Sequence, residues 1–138
     1  MLISGHNSMK VIVLQKGERI METLKRLAVE KSLRGFFIGI GAVRDPEIGY
    51  YDSGRREYLR MKLRGNYEVV GLIGNIVDGP SGPIVHAHIS LGGKNGEVLG
   101  GHLFEAETSV TLEIILIPLA GLRRTLDEQT GLLLISEG

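Results

Sequence analysis

Three of the four histidines in this chain of 138 residues, His86, His88 and His102, fall within "IVHAHISLGGKNGEVLGGHLFEAE", residues 84–107. Three neutral imidazoles plus a water make an open tetrahedral site suited to Zn²⁺, and such ligands also accept Ni²⁺, Co²⁺ or Cu²⁺. In a strand alternate side chains share a face, so His86, His88 and Ser90 point one way while Ala87, Ile89 and Leu91 point the other. The GGKNGE segment that follows has turn chemistry, and a hairpin centred near Asn95 pairs residues whose numbers sum to about 190. His88 and His102 meet that condition. Directly opposed residues of an antiparallel pair hold their Cβ atoms about 5 Å apart, and diagonal neighbours about 7 Å apart, which brings three ring nitrogens within reach of one ion. A slip of one residue, for which Gly100-Gly101 offers a bulge, turns His102 to the opposite face. The alternative role for the three imidazoles is hydrogen bonding to backbone, to Ser90 or to nearby carboxylates.

Ser90 and Glu105 are candidates to support the cluster from behind. Glu105 lies three residues beyond His102, on the opposite face of an ideal strand, so direct ligation needs a bulge or another subunit. Ser90 shares the histidine face but has no base-and-acid partner sequence for a hydrolase triad. The open metal position admits a small-molecule ligand or metal-dependent chemistry on a small molecule.

Positioning these residues is the task of many short strands. "KVIVLQ" (10–15) is rich in β-branched residues and ends at Lys16-Gly17. Residues 18–33 are the one clear helix, since Ile20, Leu24, Leu27 and Ala28 recur at helical spacing with charges on the other faces. "GFFIGIGAV" (35–43) reads as a buried strand. "EIGYYD" and "REYLRMKL" flank Asp52-Ser53-Gly54 and form a hairpin with one wet face. "NYEVVGLIGNIV" (66–77) is a long strand broken by "DGPSGP" (78–83). "SVTLEIILIPL" (109–119) is a strand that Pro118 ends or places at an edge, and "RRTLDEQTGLLLIS" is a turn followed by a short closing strand. The expected architecture is α+β, a mainly antiparallel sheet with one main helix packed on it. Residues 1–9 are expected to be an N-terminal extension ahead of a single domain over 10–138.

Composition narrows the chemistry. Sixteen basic and sixteen acidic side chains balance, so no bulk field draws phosphate backbones or acidic membranes. The absence of cysteine removes disulfides, thiolate metal sites and thiol nucleophiles. No apolar run approaches the ~20 residues that span a bilayer, and the N-terminus lacks signal-peptide character. A soluble, cytoplasmic protein without membrane contact is expected. Gly35, Gly39 and Gly41 do not open onto a helix as a dinucleotide fingerprint does, and "GKNGE" lacks the Ser or Thr of a P-loop and precedes a strand. Arg55, Arg56 and Arg60, beside Tyr58, form the one notable basic cluster and the candidate nucleic-acid patch, diluted by Asp52 and Glu57. Arg123-Arg124 is ambiguous.

At "HAHISLGGKNGEVLGGHL", with support from "GIGAVRDPEIGYYD", "YEVVGLIGNI" and "RRTLDEQTGL", the sequence resembles the plants-and-prokaryotes-conserved (PPC) domain, which plant AT-hook nuclear proteins share with free-standing prokaryotic proteins. The resemblance spans residues 10–136. It implies an α+β fold that assembles as a homotrimer, with His86, His88 and His102 as metal ligands. The free-standing relatives carry a DNA-binding prediction by analogy with the plant proteins. Here no Arg-Gly-Arg hook exists for the minor groove, and the plant partner-contact segment corresponds to "GNYEVVGL" (65–72), where Glu68 matches and the basic residue does not. The leading expectation is a zinc-binding homotrimer with an unassigned downstream activity, ahead of a DNA-associated module and of a metal-dependent enzyme for a small molecule.

Overall fold

The computed structural model describes residues 1–6 and 8–137. Its elements, in chain order, are β1 (Leu2–His6), β2 (Met9–Gln15), α1 (Ile20–Glu30), β3 (Gly35–Asp52), β4 (Glu57–Lys62), β5 (Asn66–Gly79), β6 (Gly82–Gly92), β7 (Val98–Pro118), β8 (Leu122–Asp127) and β9 (Leu132–Glu137). The α+β expectation holds: one sheet carries all the strands, and a short helix packs on it against β6 and β7. Among the described residues no helix is long and apolar enough to cross a membrane.

Alternation of apolar and polar residues sorts each strand into an inner and an outer face. Ile12 and Leu14 of β2, Ala87, Ile89 and Leu91 of β6, and Leu112, Ile114 and Leu116 of β7 are buried. They form one core with Ile20, Leu24, Leu27 and Ala28, the apolar stripe of α1. The helix is shorter than the 18–33 its periodicity suggested. Glu18 is held in a turn by its hydrogen bonds with Gln15, Arg19 is extended at the N-cap, and Ser32 adopts a positive φ that ends the helical path.

The sheet runs β1-β2-β7-β3-β5-β8-β9, with β4 added to β3 and β6 bridging β5 and β7. As β3 pairs with both β5 and β7, and β6 with both as well, these four strands close a ring of ladders. Long strands make such a circuit only by bending. Register shifts supply the bends at Gly39/Gly41 and Val69/Gly71, and again along β3 against β7 between Gly41 and Ile48. A Cβ on Gly41 would stand 2.1 Å from the Thr111 carbonyl oxygen, and one on Gly100 equally close to that of Ile89, so both strand contacts require glycine.

Two boundaries differ from expectation. Residues 2–6, expected to precede the domain, run antiparallel to β2 as β1, so the sheet begins before residue 10. The strand that carries His102 and "SVTLEIILIPL" are one strand, β7, because the register shifts let residues 105–109, polar apart from the buried Ala106, pass through the sheet without a loop. Pro118 does end that strand, and the final segment forms the β8–β9 hairpin, joined to β5 by one parallel pair at Asp78 and Arg123.

Gly100→Ala forces β6 and β7 apart, and its urea unfolding free energy should fall by about 1–3 kcal/mol relative to the parent chain. An unchanged value would mean that the ladder yields at no cost.

Candidate metal centre

β6 and β7 set the histidines by register. His88 is paired directly with His102, and the ladder continues without a shift to Gly92 and Val98, so Gly100-Gly101 is not a bulge. The two glycines serve close packing instead: a Cβ on Gly101 would lie 2.5 Å from the Gly49 carbonyl oxygen. His86 precedes His88 by one strand repeat and shares its face, opposite Ala87 and Ile89 in the core. The ring centroids are 5.1 Å apart for His86–His88, 5.2 Å for His86–His102 and 5.9 Å for His88–His102.

One ligand nitrogen from each ring lies within 4.8 Å of the other two. A point therefore exists within about 2.8 Å of all three, and binding would need ring rotations that bring each nitrogen in to the ~2.0–2.1 Å of a zinc–nitrogen bond. His88 is exposed while His86 and His102 are half-buried, so the cluster is open on one side. The donor set fits a divalent transition ion: three neutral nitrogens, no charge to neutralise and room for a further ligand.

The surroundings keep two of the imidazoles, those of His86 and His102, unprotonated. Burial, reinforced by His86, His88 and Arg60, pushes His102 down to about 4. Burial, then Arg124 and His88, also lowers His86. Tyr58 of β4 and Phe104 of β7 flank the His102 ring at centroid distances of 4.6 and 4.8 Å. Burial raises the Tyr58 phenol, with the nearby Tyr51 acting in the same direction, so it keeps its proton at neutral pH.

Sequence reasoning missed Arg124 as part of this site. It is 7% exposed on β8, donates from Nη1 to the Leu133 carbonyl and from Nη2 to Asn75 Oδ1, both at 2.8 Å, and places Nη2 3.3 Å from His86 Nδ1. The sequence signal was an arginine pair in a segment read as a turn, in which nothing distinguished the buried Arg124 from the exposed Arg123; the structure makes it the strand β8.

Of the two supporting candidates, Glu105 is used elsewhere. The Glu105 carboxylate accepts the backbone N–H groups of Met21 (2.9 Å) and Glu22 (3.0 Å), so it caps α1, whose own N-cap residue makes no side-chain cap. Ser90 stands exposed between Gly71 and Gly100 of the adjoining strands. The basic cluster is likewise dispersed. Arg60 pairs with Glu47 at 2.5 Å and lies over the Phe104 ring. Arg56 donates to the Glu128 and Gln129 carbonyls of the β8–β9 turn, and Arg55 stands beside Asp52 and Glu57.

The sequence model of the Plants and Prokaryotes Conserved domain (PCC, or PPC) matches residues 4–120. The chain belongs to this family. The PCC chain is similar to a metal-containing protein of Archaeoglobus fulgidus, with 36% identity, 99% of each chain covered and a TM-score of 0.87. It is also similar to a plant- and prokaryote-conserved protein of Pyrococcus horikoshii, with 32% identity over 99% of this chain and 95% of that one, and a TM-score of 0.85. A candidate DNA-binding protein of Bacteroides thetaiotaomicron shares the fold at a TM-score of 0.93 and 22% identity, with 99% and 96% of the two chains covered. Comparison with curated proteins gives no significant match.

Two outcomes follow from these contacts. In the metal-free PCC protein the unfolded chain's imidazole takes up its proton near pH 6.5, whereas folded His102 does so only near pH 4. Unfolded chains thus bind more protons between these values, and stability should fall as pH drops from 6.5 towards 4; denaturation midpoints at pH 7 and pH 5 test this. Glu105→Ala should cost about 1–2 kcal/mol of stability through the lost helix cap while leaving metal uptake unchanged, as denaturation and elemental analysis would show.

Proposed function

We propose that this PCC-domain protein holds one divalent transition ion, zinc first among them, on His86, His88 and His102, and acts as a homotrimer that presents the ion's open position to a small-molecule ligand. The observation that carries the metal assignment is the convergence of three imidazole nitrogens within 4.8 Å on one face of the β6–β7 ladder. The metal content of the Archaeoglobus fulgidus relative, at 36% identity over 99% of both chains, supports it. The zinc preference comes from the donor set, borderline nitrogens at a coordination number that leaves a free position. When bound, the ion would polarise an oxygen of a ligand or lower the pKa of a water.

Support for self-association comes from the outer face of the sheet. Ile73, Ile38 and Ile115 stand abreast on β5, β3 and β7, joined by direct pairing and 63%, 53% and 41% exposed. The row continues from Ile73 to His88 and His102. An apolar stripe of this kind is unfavourable in water and is relieved when copies of the chain cover it.

Elemental analysis of untagged, zinc-supplemented protein tests the metal assignment. Close to one ion per chain is expected, falling below about 0.2 in His88→Ala; a low content in both would sink it. Light scattering tests the assembly: the expected mass is three times the 15.1 kDa of the chain, and Ile38→Asp with Ile73→Asp should return it to one chain. A monomeric parent protein would refute the trimer and leave the metal assignment standing.

A further inference from the structure

The β8–β9 hairpin lies beyond residue 120, where the family match ends, yet it closes one side of the histidine cluster. A cavity of about 420 Å³ opens there, with Tyr58, His86, His102 and Arg124 at its polar end and Ile84 and Leu134 among its apolar walls. Among the described residues no acidic side chain lines it. The buried guanidinium of Arg124 meets a carbonyl, an amide oxygen and an imidazole, but no carboxylate among the described residues. Its Nε is buried and has no hydrogen-bond partner among the described residues.

A buried cation without a counter-charge is costly, and proteins ordinarily pair it. Here a divalent ion on three neutral imidazoles would add two more positive charges beside Arg124. One cavity would then join two cationic points to an apolar wall. This charge pattern selects an anion, and the wall selects one with a short hydrocarbon chain.

We propose that the cavity is a two-point site for a small aliphatic carboxylate. The carboxylate group bridges Arg124 and the open position of the metal, and the chain lies along Ile84 and Leu134. The proposal rests on the metal assignment above and adds its ligand class. Arg124 is the anion-binding residue and the β8–β9 hairpin the element that delivers it. Tyr58, protonated at neutral pH, lines the same polar end and adds a donor there. Inorganic phosphate shares the negative charge but has no use for the apolar wall, which separates the two classes experimentally.

The test uses the full chain loaded with Co²⁺, with metal content measured first and butyrate, formate and inorganic phosphate then titrated by calorimetry and by the visible cobalt bands. Butyrate is expected to shift the bands and to bind about tenfold or more tightly than formate, because its chain is buried. Arg124→Met should keep its cobalt and lose butyrate affinity by about thirtyfold or more. Leu134→Trp, which narrows the apolar end of the cavity and removes no ligand nitrogen, should also keep its cobalt and lose butyrate. It decides the matter if Arg124→Met fails to fold.

Equal affinity for formate and butyrate, butyrate binding unchanged in either folded variant, or phosphate bound in preference to butyrate would each overturn the proposal. Cobalt uptake without any carboxylate response would overturn it alone and leave the metal assignment intact. A chain that takes up no cobalt would remove both.

Discussion

The pairing of β6 with β7 in a register that sets His88 against His102 is the constraint on which the site depends. A slip of one residue in that ladder would carry His102 to the helix side of the sheet and dissolve the cluster. The histidines themselves have little hold on this register. It is pinned from the other face, where Ala87, Ile89, Leu91 and Leu103 are buried beneath α1 and its neighbours. Exposing those side chains would cost about 1.5–3 kcal/mol for each of the larger ones. The hydrophobic face therefore fixes the polar one, and three imidazoles converge as the reverse side of an apolar packing problem.

The surroundings then set the character of that polar face. Burial and the neighbouring cations keep His86 and His102 unprotonated, which removes the main competitor for their nitrogens, the proton. Arg60 lies over Phe104, and Phe104 meets His102 edge to face, so a positive charge is held near the cluster across an intervening ring. On the other flank Arg124 reaches His86 from a hairpin that joins the sheet through a single parallel pair and is tied down at its turn by Tyr51 and Arg56. Glu105, the acid nearest to the histidines along β7, is drawn away to the first turn of α1. A site rich in nitrogen and poor in carboxylate is the result, with a donor set that fits a divalent transition ion.

Much of the fold was legible because period-two and helical patterns are local. The strand at 10–15, the helix containing Ile20 to Ala28, the Asp52 hairpin and the long strand from Asn66 emerge with small changes of boundary. The fusion of the His102 strand with 109–118 was not legible: alternation is interrupted between Glu105 and Ser109, and only the bend of β7 against β3 keeps that stretch in the sheet. Of the site, the trio of histidines could be read from strand alternation and hairpin symmetry. The helix-capping use of Glu105 could not, because its partners at Met21 and Glu22 lie more than eighty positions away. Arg55, Arg56 and Arg60 formed a cluster in sequence, and the tertiary fold engages each of them separately.

By itself the sequence determined which side chains share a strand face, where the chain turns and which chemistry three imidazoles without cysteine support, since all of these follow from spacing and residue type over a few positions. Only the tertiary structure decided what meets the histidine face. Arg124, Asn75 and Tyr58 arrive there from β8, β5 and β4, and their arrival depends on how bent strands close a ring of ladders. That geometry is set by the summed packing of the core, which no short stretch of residues encodes.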